Sequence, residues 1–286
     1  AVYRITGVIS VIGGWFITAG AAFIVSFLIT NGLFFGSFVA IVIAIIVAIT
    51  ILIHSNLRNT KNNKNSEADK LFSKILYSDD KTECWLLLCN HVKLTTMDNL
   101  QFVTLNYEAM TTAFFHEDYR TLKHTVAQFD GQRKDIKRQR RKQIIALRRI
   151  DPVLSVEKGT WYFLTINSLS QMVYCLKRMG EPCLEYVANN FRPIPGKYVN
   201  EFLTLRDEIV RIFRRAISDE TTHHIRDDAA RIQNALSDYR KRIIRDIQTK
   251  QLNIESMTVF LNLVQESQEL LSALRHTMRG KNKFEE

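Results

Sequence analysis

The order of apolar and polar positions divides the chain into an apolar beginning and a longer polar remainder. The stretch from Ile5 to Ile53 contains no Asp, Glu, Lys or Arg, although 24% of the whole chain is charged. Because the hydrocarbon core of a bilayer takes about 20 helical residues, this stretch is long enough for two spans joined by a turn at Asn31 and Gly32. The sequence therefore predicts a transmembrane helical hairpin over residues 1–55.

The polar remainder begins with a linker and continues as helices. Residues 56–66 are polar and Asn-rich with nothing to bury, which is typical of a linker. From residue 67 to 286 helical periodicity predominates, and the four prolines are few for this length, so we expect an all-helical domain. Polar and proline-containing breaks delimit predicted helices at about 67–77, 85–115, 118–149, 156–190, 198–217, 222–249 and 255–278.

One helix end carries a specific local signal. Asn189 and Asn190 precede Phe191 at the end of the fourth predicted helix. Asn tolerates the left-handed conformation in which many helices terminate, so we expect this pair to end the helix.

A weak internal repeat runs through the polar part. Phe163-Leu164, Ser170-Gln171 and Arg178 recur 97 residues later, as Phe260-Leu261, Ser267-Gln268 and Arg275. In each half this helix comes third, after a helix dense in alternating charge. Two copies of a three-helix unit are the simplest interpretation, and the alternative is chance identity between amphipathic helices.

Basic residues indicate how the hairpin is oriented. Arg58, Lys61 and Lys64 follow it and Arg4 precedes it, whereas the turn between the spans has no basic residue. Because basic residues favour the cytoplasmic side, we expect both ends in the cytoplasm. The first residue is Ala and no signal-peptide pattern precedes the apolar run, so we expect the C-terminal piece of a longer protein.

The four cysteines agree with a reducing compartment. Cys84, Cys89, Cys175 and Cys183 form no C-x-x-C pair, and each lies beside apolar residues. We interpret them as small, buried, reduced side chains, the alternatives being a disulfide or a zinc site.

The strongest charge feature is a basic stretch in the helix predicted over 118–149. It contains Arg133, Lys134, Lys137, Arg138, Arg140, Arg141 and Lys142. Such a surface can rest on anionic lipid head groups or bind another anionic partner, or it can be a solvated face that pairs with acidic residues elsewhere or on another subunit. Nucleic acid is the least favoured interpretation, because no groove-reading motif or aromatic platform accompanies the stretch.

Catalytic patterns are missing from the sequence. His224 and Asp228 are four residues apart, a spacing that suits a metal ion or an acid/base pair. Residues 218–221, which precede them, are equally typical of helix capping, and we favour that interpretation. Since no Walker loop, G-x-S-x-G or G-x-G-x-x-G is present, we expect no enzyme, no catalytic residues and no cofactor.

Two parts of the chain resemble a known family. Residues 15–22 resemble the W-x-x-T-x-P-A-A segment near the end of the membrane part of inorganic phosphate transporters of the PiT family. The motif positions are Trp15, Thr18 and Gly20; the first two match the family, and Gly20 stands where the family usually has Pro. Two tandem three-helix units, and residues 168–193 in particular, resemble the PhoU-like domain that some bacterial members carry after their last span.

The resemblance implies both a function and a location. The chain would be the C-terminal portion of a cation-coupled phosphate permease, a symporter that crosses the bacterial inner membrane several times. The PhoU-like bundle over 67–286 would be cytoplasmic, would regulate or assemble the permease, and could form a homo-oligomer. Inorganic phosphate and the coupling cation would be bound upstream of Ala1.

The metal sites of PhoU proteins do not carry over. Those proteins commonly bind metal through two carboxylates four residues apart on one helix. Here Lys177 and Glu181 occupy the two positions, and the second half has Leu274 and Met278. Lysine, leucine and methionine supply no hard oxygen ligand, so we expect no metal site.

A protein of another class remains open on the same sequence. A membrane-anchored helical signalling or scaffold protein, complete in itself, would bind other proteins through its charged helices.

Overall fold

The computed structural model describes residues 15–16, 18–20, 22–24, 26–27, 30–31, 50, 67–218, 222–250 and 252–285. The chain forms two compact units, Ala1–Asn65 and Ser66–Glu286. The described residues of the first unit are all helical. Most of the predicted hairpin and the whole predicted linker, 56–66, lie outside the described residues. Within the described part, no helix is both long enough and apolar enough to cross a bilayer.

The second unit consists of seven described helices. They are α1 (Glu67–Tyr77), α2 (Lys81–Phe115), α3 (Tyr119–Leu147), α4 (Pro152–Ala188), α5 (Gly196–Ile217), α6 (Thr222–Thr249) and α7 (Ile254–Glu285). No described residue is in a strand, so the prediction of an all-α fold is confirmed for this part of the chain. The predicted bounds are close to the observed ones, except that α2 and α4 each begin four residues before the predicted 85 and 156, and α7 continues past 278.

Side-chain caps fix where three of these helices begin. Asp80 precedes α2, Asp118 precedes α3 and Asp151 precedes α4, and each carboxylate accepts a hydrogen bond from a backbone amide of the first turn. Pro152 occupies the first turn of α4, where its missing N–H costs nothing. The polar breaks in the sequence are therefore stop and start signals for packed helices.

The predicted end of α4 is confirmed in detail. The helix ends at Ala188, and Asn190 adopts a left-handed backbone with φ of 50°. The backbone amide of Phe191 then donates to the carbonyl of Tyr186 at 3.2 Å. This bond satisfies a carbonyl that the helix end would otherwise leave open.

Helices α2, α3 and α4 pack against one another, and so do α5, α6 and α7. The largest contact in the bundle joins α4 to α7, and a smaller one joins α2 to α5. Aromatic side chains connect the two sets: the ring centroid of Phe115 lies 5.8 Å from that of Phe202 and 6.1 Å from that of Phe260. The two sets of three helices thus share one core.

The burial pattern of α4 repeats in α7 with an offset of 98 residues. Each buried residue of α4 up to Tyr186 has a buried counterpart, for example Tyr162 with Phe260 and Leu176 with Leu274. The offset of 97 inferred from residue identities is therefore wrong by one position. An identity such as Ser170 with Ser267 pairs a half-buried residue with a fully buried one, because amphipathic helices reuse the same few residue types on different faces.

Helices α3 and α6 correspond with an offset of 103 residues. Leu122, Phe129 and Ile136 are fully buried on α3, and the residues 103 positions later on α6 are buried to the same degree. A polar contact follows the same pairing. Asp130 accepts from Lys177 of α4 at 2.9 Å, and their counterparts, the side chains of Gln233 and Arg275, are hydrogen-bonded at 3.0 Å.

Two glycines allow close contacts between helices: Gly280 between α7 and α4, and Gly180 between α4 and α3. A Cβ atom at Gly280 of α7 would overlap Oγ1 of Thr165 and would lie 2.9 Å from the carbonyl oxygen of Trp161, both on α4. A Cβ atom at Gly180 of α4 would lie 2.8 Å from a methyl group of Val126 on α3. The absence of a side chain is what brings these backbones together.

Candidate functional site

The basic stretch of α3 is spread over several directions and does not form one patch. Lys142 points to α1, where its Nζ lies 2.6 Å from a carboxylate oxygen of Asp69 and 5.5 Å from the ring centroid of Phe72. Arg138 forms an ion pair at 3.0 Å with Asp135 on its own helix. Lys134 and Arg141 are exposed to solvent. These four side chains are not arranged to hold one ligand.

The remaining basic residues of the stretch face α4, which runs antiparallel to α3. The guanidinium of Arg133 lies 5.4 Å from the ring centroid of Tyr174, and that of Arg140 lies 5.6 Å from the ring centroid of Phe163. One turn before Arg133, Asp130 pairs with Lys177. The contacts between α3 and α4 therefore follow one another along the length of the two helices.

Lys137 lies between Arg133 and Arg140 on α3, and it faces neutral polar groups of α4. A cavity of about 320 Å³ opens there, which we call the α3–α4 groove; its lining residues are Arg133, Lys137, Asn167, Ser170, Gln171 and Tyr174. Within the described residues, no carboxylate lies within ion-pair distance of Lys137. The groove therefore combines two cations with amide and hydroxyl groups.

The positive charge of the groove is only weakly compensated. Asp130 lies 3.6 Å from Arg133, but its carboxylate is held more closely by Lys177 at 2.9 Å. The hydrogen bond from Lys177 lowers the pKa of Asp130, and the same bond raises the pKa of Lys177, so both groups stay charged. Aromatic rings attract cations without neutralising them, which leaves a net positive site.

A second set of contacts fixes the wall of the groove that α4 supplies. The guanidinium of Arg178 lies 4.7 Å from the ring centroid of Tyr174 and donates to Glu266 of α7 at 2.6 Å. Glu266 is buried, with 8% of its side chain exposed. Tyr174 is thus in contact with one arginine from the groove and another anchored in the α4–α7 contact, which restricts its rotation.

The thiol of Cys175, next to this contact, is unreactive. The four cysteines form no disulfide with one another, and Cys84, Cys175 and Cys183 are buried while Cys89 is half-buried. Burial, with the nearby carboxylate of Glu266, raises the pKa of Cys175 to about 12. A thiol that stays protonated is a poor nucleophile and a poor metal ligand.

A buried polar network joins α2 to α3 behind the basic stretch. The amide nitrogen of Gln143 lies 3.1 Å from Nδ1 of His91 and donates to the hydroxyl of Thr95 at 2.9 Å. Burial, together with the charge of Lys142, lowers the pKa of His91 to about 4. The imidazole is therefore neutral at physiological pH and acts as a hydrogen-bond acceptor.

Other residues singled out from the sequence lie apart from the groove. Trp15, Thr18 and Gly20 are helical and exposed within the first unit. His224 is not paired with Asp228: the contact that forms is His223 with Asp227, at 2.9 Å. The carboxylate of Asp228 is held by Arg215 at 2.5 Å. The segment proposed as a cap, 218–221, lies outside the described residues except for Ser218.

The positions at which the sequence resemblance would expect metal-binding carboxylates hold no ligand set. The ammonium of Lys177 lies 3.5 Å from Glu181, while Leu274 and Met278 are buried in the core. By the 98-residue offset, the counterparts of Lys177 and Glu181 are Arg275 and Arg279, and not Leu274 and Met278. In the described part of the chain, no group of three or more His, Cys, Asp or Glu side chains is placed to hold a metal ion.

Sequence reasoning found the basic half of the groove and missed its neutral half. Asn167, Ser170, Gln171 and Tyr174 share one face of α4 because they are spaced three or four residues apart. That spacing was visible in the sequence. Its significance depends on which helix lies opposite, which the sequence did not indicate.

Comparison with known proteins identifies no relative: no family model, no curated protein and no solved structure matches this chain.

Proposed function

We propose that this chain is the C-terminal portion of a PiT-like inorganic phosphate permease, in which a helical hairpin over 1–55 crosses the membrane and a PhoU-like bundle follows. The observation that carries the proposal is a pair of three-helix sets with matching burial patterns, joined to an uncharged apolar segment that contains Trp15 and Thr18. The bundle would be cytoplasmic and would regulate or assemble the permease.

A regulatory role suits the chemistry of the bundle better than transport does. A transport path through a membrane needs polar groups at membrane depth that bind and release the substrate, and the apolar segment of this chain has no charged residue between Ile5 and Ile53. The bundle instead offers a rigid core with a basic groove on one side. Phosphate and the coupling cation would therefore be bound by spans that precede this chain.

Deleting residues 67–286 from the full-length permease tests this role. We expect the truncated permease to reach the membrane and to show an altered response of phosphate uptake to external phosphate, since the domain that adjusts transport is missing. Uptake of radiolabelled phosphate at low and high external phosphate measures this, with the amount of permease in the membrane determined in parallel. Unchanged uptake at both concentrations would remove the regulatory role.

A companion variant keeps the bundle and weakens the contact between α4 and α7. Glu266→Leu removes the partner of Arg178 in the α4–α7 contact without shortening the chain. If this variant reproduces part of the effect of the deletion, the folded bundle is the regulating element, because the chain length is unchanged.

A second candidate is a membrane-anchored helical signalling or scaffold protein. The observation in its favour is that Lys134 and Arg141 of α3 are exposed and form no ion pair within the described residues. The gene upstream of Ala1 distinguishes the two candidates. Many further apolar spans support the permease, and a nearby start codon supports the anchored scaffold.

A further inference from the structure

We propose that the α3–α4 groove binds a small ligand that carries phosphoryl groups, with Arg133 and Lys137 as its cationic contacts. The inference names the signal that the proposed regulatory bundle would read, and in that respect it rests on the proposed function. Binding itself is a property of this chain and is measured without reference to transport.

The arrangement of charge along the contact between α3 and α4 is the first argument. Asp130, Arg133 and Arg140 each have a partner on α4, either a cation or an aromatic ring. Lys137 has none in the described part of the chain, although it lies over a cavity. An anion in that cavity would contact an ammonium and a guanidinium together, which is the pairing that phosphoryl oxygens favour.

The neutral side of the groove supplies further donors. The amides of Asn167 and Gln171 are exposed at the groove, and the closest partner of the Gln171 nitrogen is the sulfur of Cys175, at 4.0 Å. Ser170 already donates its hydroxyl proton to the carbonyl of Ile166 at 3.0 Å. The donors that remain are the amides of Asn167 and Gln171 together with Arg133 and Lys137, which suits a ligand whose oxygens are all acceptors.

The size of the cavity limits the ligand to a compact one. A volume of about 320 Å³ lies at the lower end of the range of about 300–1,000 Å³ for small-molecule clefts. A short oligophosphate or a phosphorylated lipid head group matches this size. The volume and the two cations do not suit a nucleic-acid duplex, which is bound along an extended basic surface.

The position of Arg133 is fixed before any ligand arrives. Its guanidinium lies over Tyr174, and Tyr174 is held from the other contact by Arg178, which is anchored to Glu266. Ordering a free arginine on binding costs conformational entropy. A guanidinium that is already in place avoids most of that cost.

The corresponding place in the second set of helices offers a natural contrast. By the offsets of 103 and 98 residues, Leu236 replaces Arg133 and Glu269 replaces Gln171, while Arg240 replaces Lys137. Leu236 is fully buried. One cation is thus exchanged for an apolar side chain and one amide for a carboxylate, so the proposed site belongs to the first set alone.

Calorimetry on the full chain in neutral detergent tests the proposal, with sodium tripolyphosphate as the probe at low salt. We expect saturable binding that Lys137→Gln weakens by about tenfold or more, since a hydrogen bond to a charged group is lost. Gln171→Glu, which copies the second set, should abolish binding without removing any bulk. Circular dichroism confirms that each variant is folded.

Two matched controls separate the groove from a general basic surface. Lys134→Gln removes an exposed charge three residues away that does not line the groove, and Arg240→Gln removes the counterpart of Lys137. Both should retain wild-type affinity. Equal weakening by Lys134→Gln and Lys137→Gln, or no saturable binding of tripolyphosphate or of vesicles, overturns the proposal.

A second experiment, with phosphatidylcholine vesicles that contain phosphatidic acid, distinguishes a lipid head group from a free oligophosphate as the ligand. Vesicle binding that Lys137→Gln abolishes, without tripolyphosphate binding, assigns the groove to a lipid head group. Tripolyphosphate binding that Lys137→Gln abolishes assigns it to a free oligophosphate. Ligand binding together with normal uptake by the truncated permease would overturn the regulatory role and leave the site intact.

Discussion

The α3–α4 groove and the corresponding contact between α6 and α7 share the same arrangement of helices. The first place is basic and polar, and the second is apolar. In the first, Arg133 and Arg140 lie over aromatic rings and a cavity opens beside them. In the second, the corresponding residues are Leu236 and Ile243, and both are fully buried. Apolar side chains let two helices close on each other, whereas long cations keep them apart and hydrated.

What the two places share is as informative as what separates them. Asp130 with Lys177 and Gln233 with Arg275 occupy equivalent positions, and in both a cation of the third helix binds a polar group of the second. The polar contact is therefore common to both sets, and the difference between them lies in the neighbouring positions. The neighbouring positions are then free to form either a core or a ligand site.

Exchanging the most different pair of residues should give the largest effect. Leu236→Arg places a charge at a fully buried position, and we expect a loss of about 3–5 kcal/mol in the free energy of unfolding. The reciprocal Arg133→Leu changes a side chain that is 36% exposed, and should alter that free energy by about 0.5 kcal/mol at most. Chemical unfolding followed by circular dichroism measures both. Similar losses would show that the two places do not differ as described.

The close contact between α7 and α4 should be nearly as sensitive. Gly280→Ala puts a methyl group 2.9 Å from the carbonyl oxygen of Trp161, and because backbone cannot yield easily we expect a loss of about 3 kcal/mol. Gly131→Ala on α3 is the matched control: nothing lies within 4 Å of the new methyl group, so better helix propensity should stabilise by about 1 kcal/mol. Loss of stability in both variants would contradict the close approach.

His91, which lies in the first set of helices, should make the free energy of unfolding depend on pH. The pKa of His91 is lowered from 6.5 to about 4, so between these values the unfolded chain binds a proton that the folded chain does not. Stability contributed by the neutral imidazole is therefore complete above pH 6.5 and falls as the pH decreases toward 4, by about 2 kcal/mol at pH 5.

The matched variants for this prediction are His91→Gln and His276→Gln. The first removes the titrating group and keeps an acceptor for Gln143, so its unfolding free energy should fall less steeply between pH 6.5 and 4.5. The second changes an exposed histidine of α7 and should follow the wild type. Parallel curves for all three proteins would exclude His91 as the source.

The smallest effect on stability is expected when the Asp130–Lys177 contact is converted into one like the Gln233–Arg275 contact. Asp130→Asn replaces the ion pair with Lys177 by an amide and a cation, as in Gln233 with Arg275. Exposed ion pairs contribute little, so the unfolding midpoint should not move measurably. Affinity for tripolyphosphate should rise, because the carboxylate nearest to Arg133 is gone; weaker binding would mean that Asp130 helps to form the site.

The helices themselves were predictable because their signals are local. Asp80, Asp118 and Asp151 cap the helices that follow them, and Asn190 takes the left-handed conformation that ends α4. Each of these signals acts within a few residues of its own position. The end inferred from Asn189 and Asn190 therefore lies within two residues of the observed one, whereas α2 and α4 begin four residues before their predicted starts.

The register of the repeat and the neutral wall of the groove were not predictable in this way. The identity of Arg178 with Arg275 suggested an offset of 97, but burial shows 98, because a helix face depends on its neighbours and not on residue names. Likewise Ser170 and Gln171 became part of a site only because Lys137 lies opposite.

The sequence by itself determined that residues 67–285 form a series of helices separated by polar breaks, that the helices carry apolar stripes, and that α3 carries an excess of basic charge. These properties follow from short-range hydrogen bonding and periodicity. Only the tertiary structure decided that Arg133 and Lys137 share a groove while Lys142 pairs with Asp69. A helix places neighbouring residues about 100° apart, so the partner of each cation depends on which helix packs against that face.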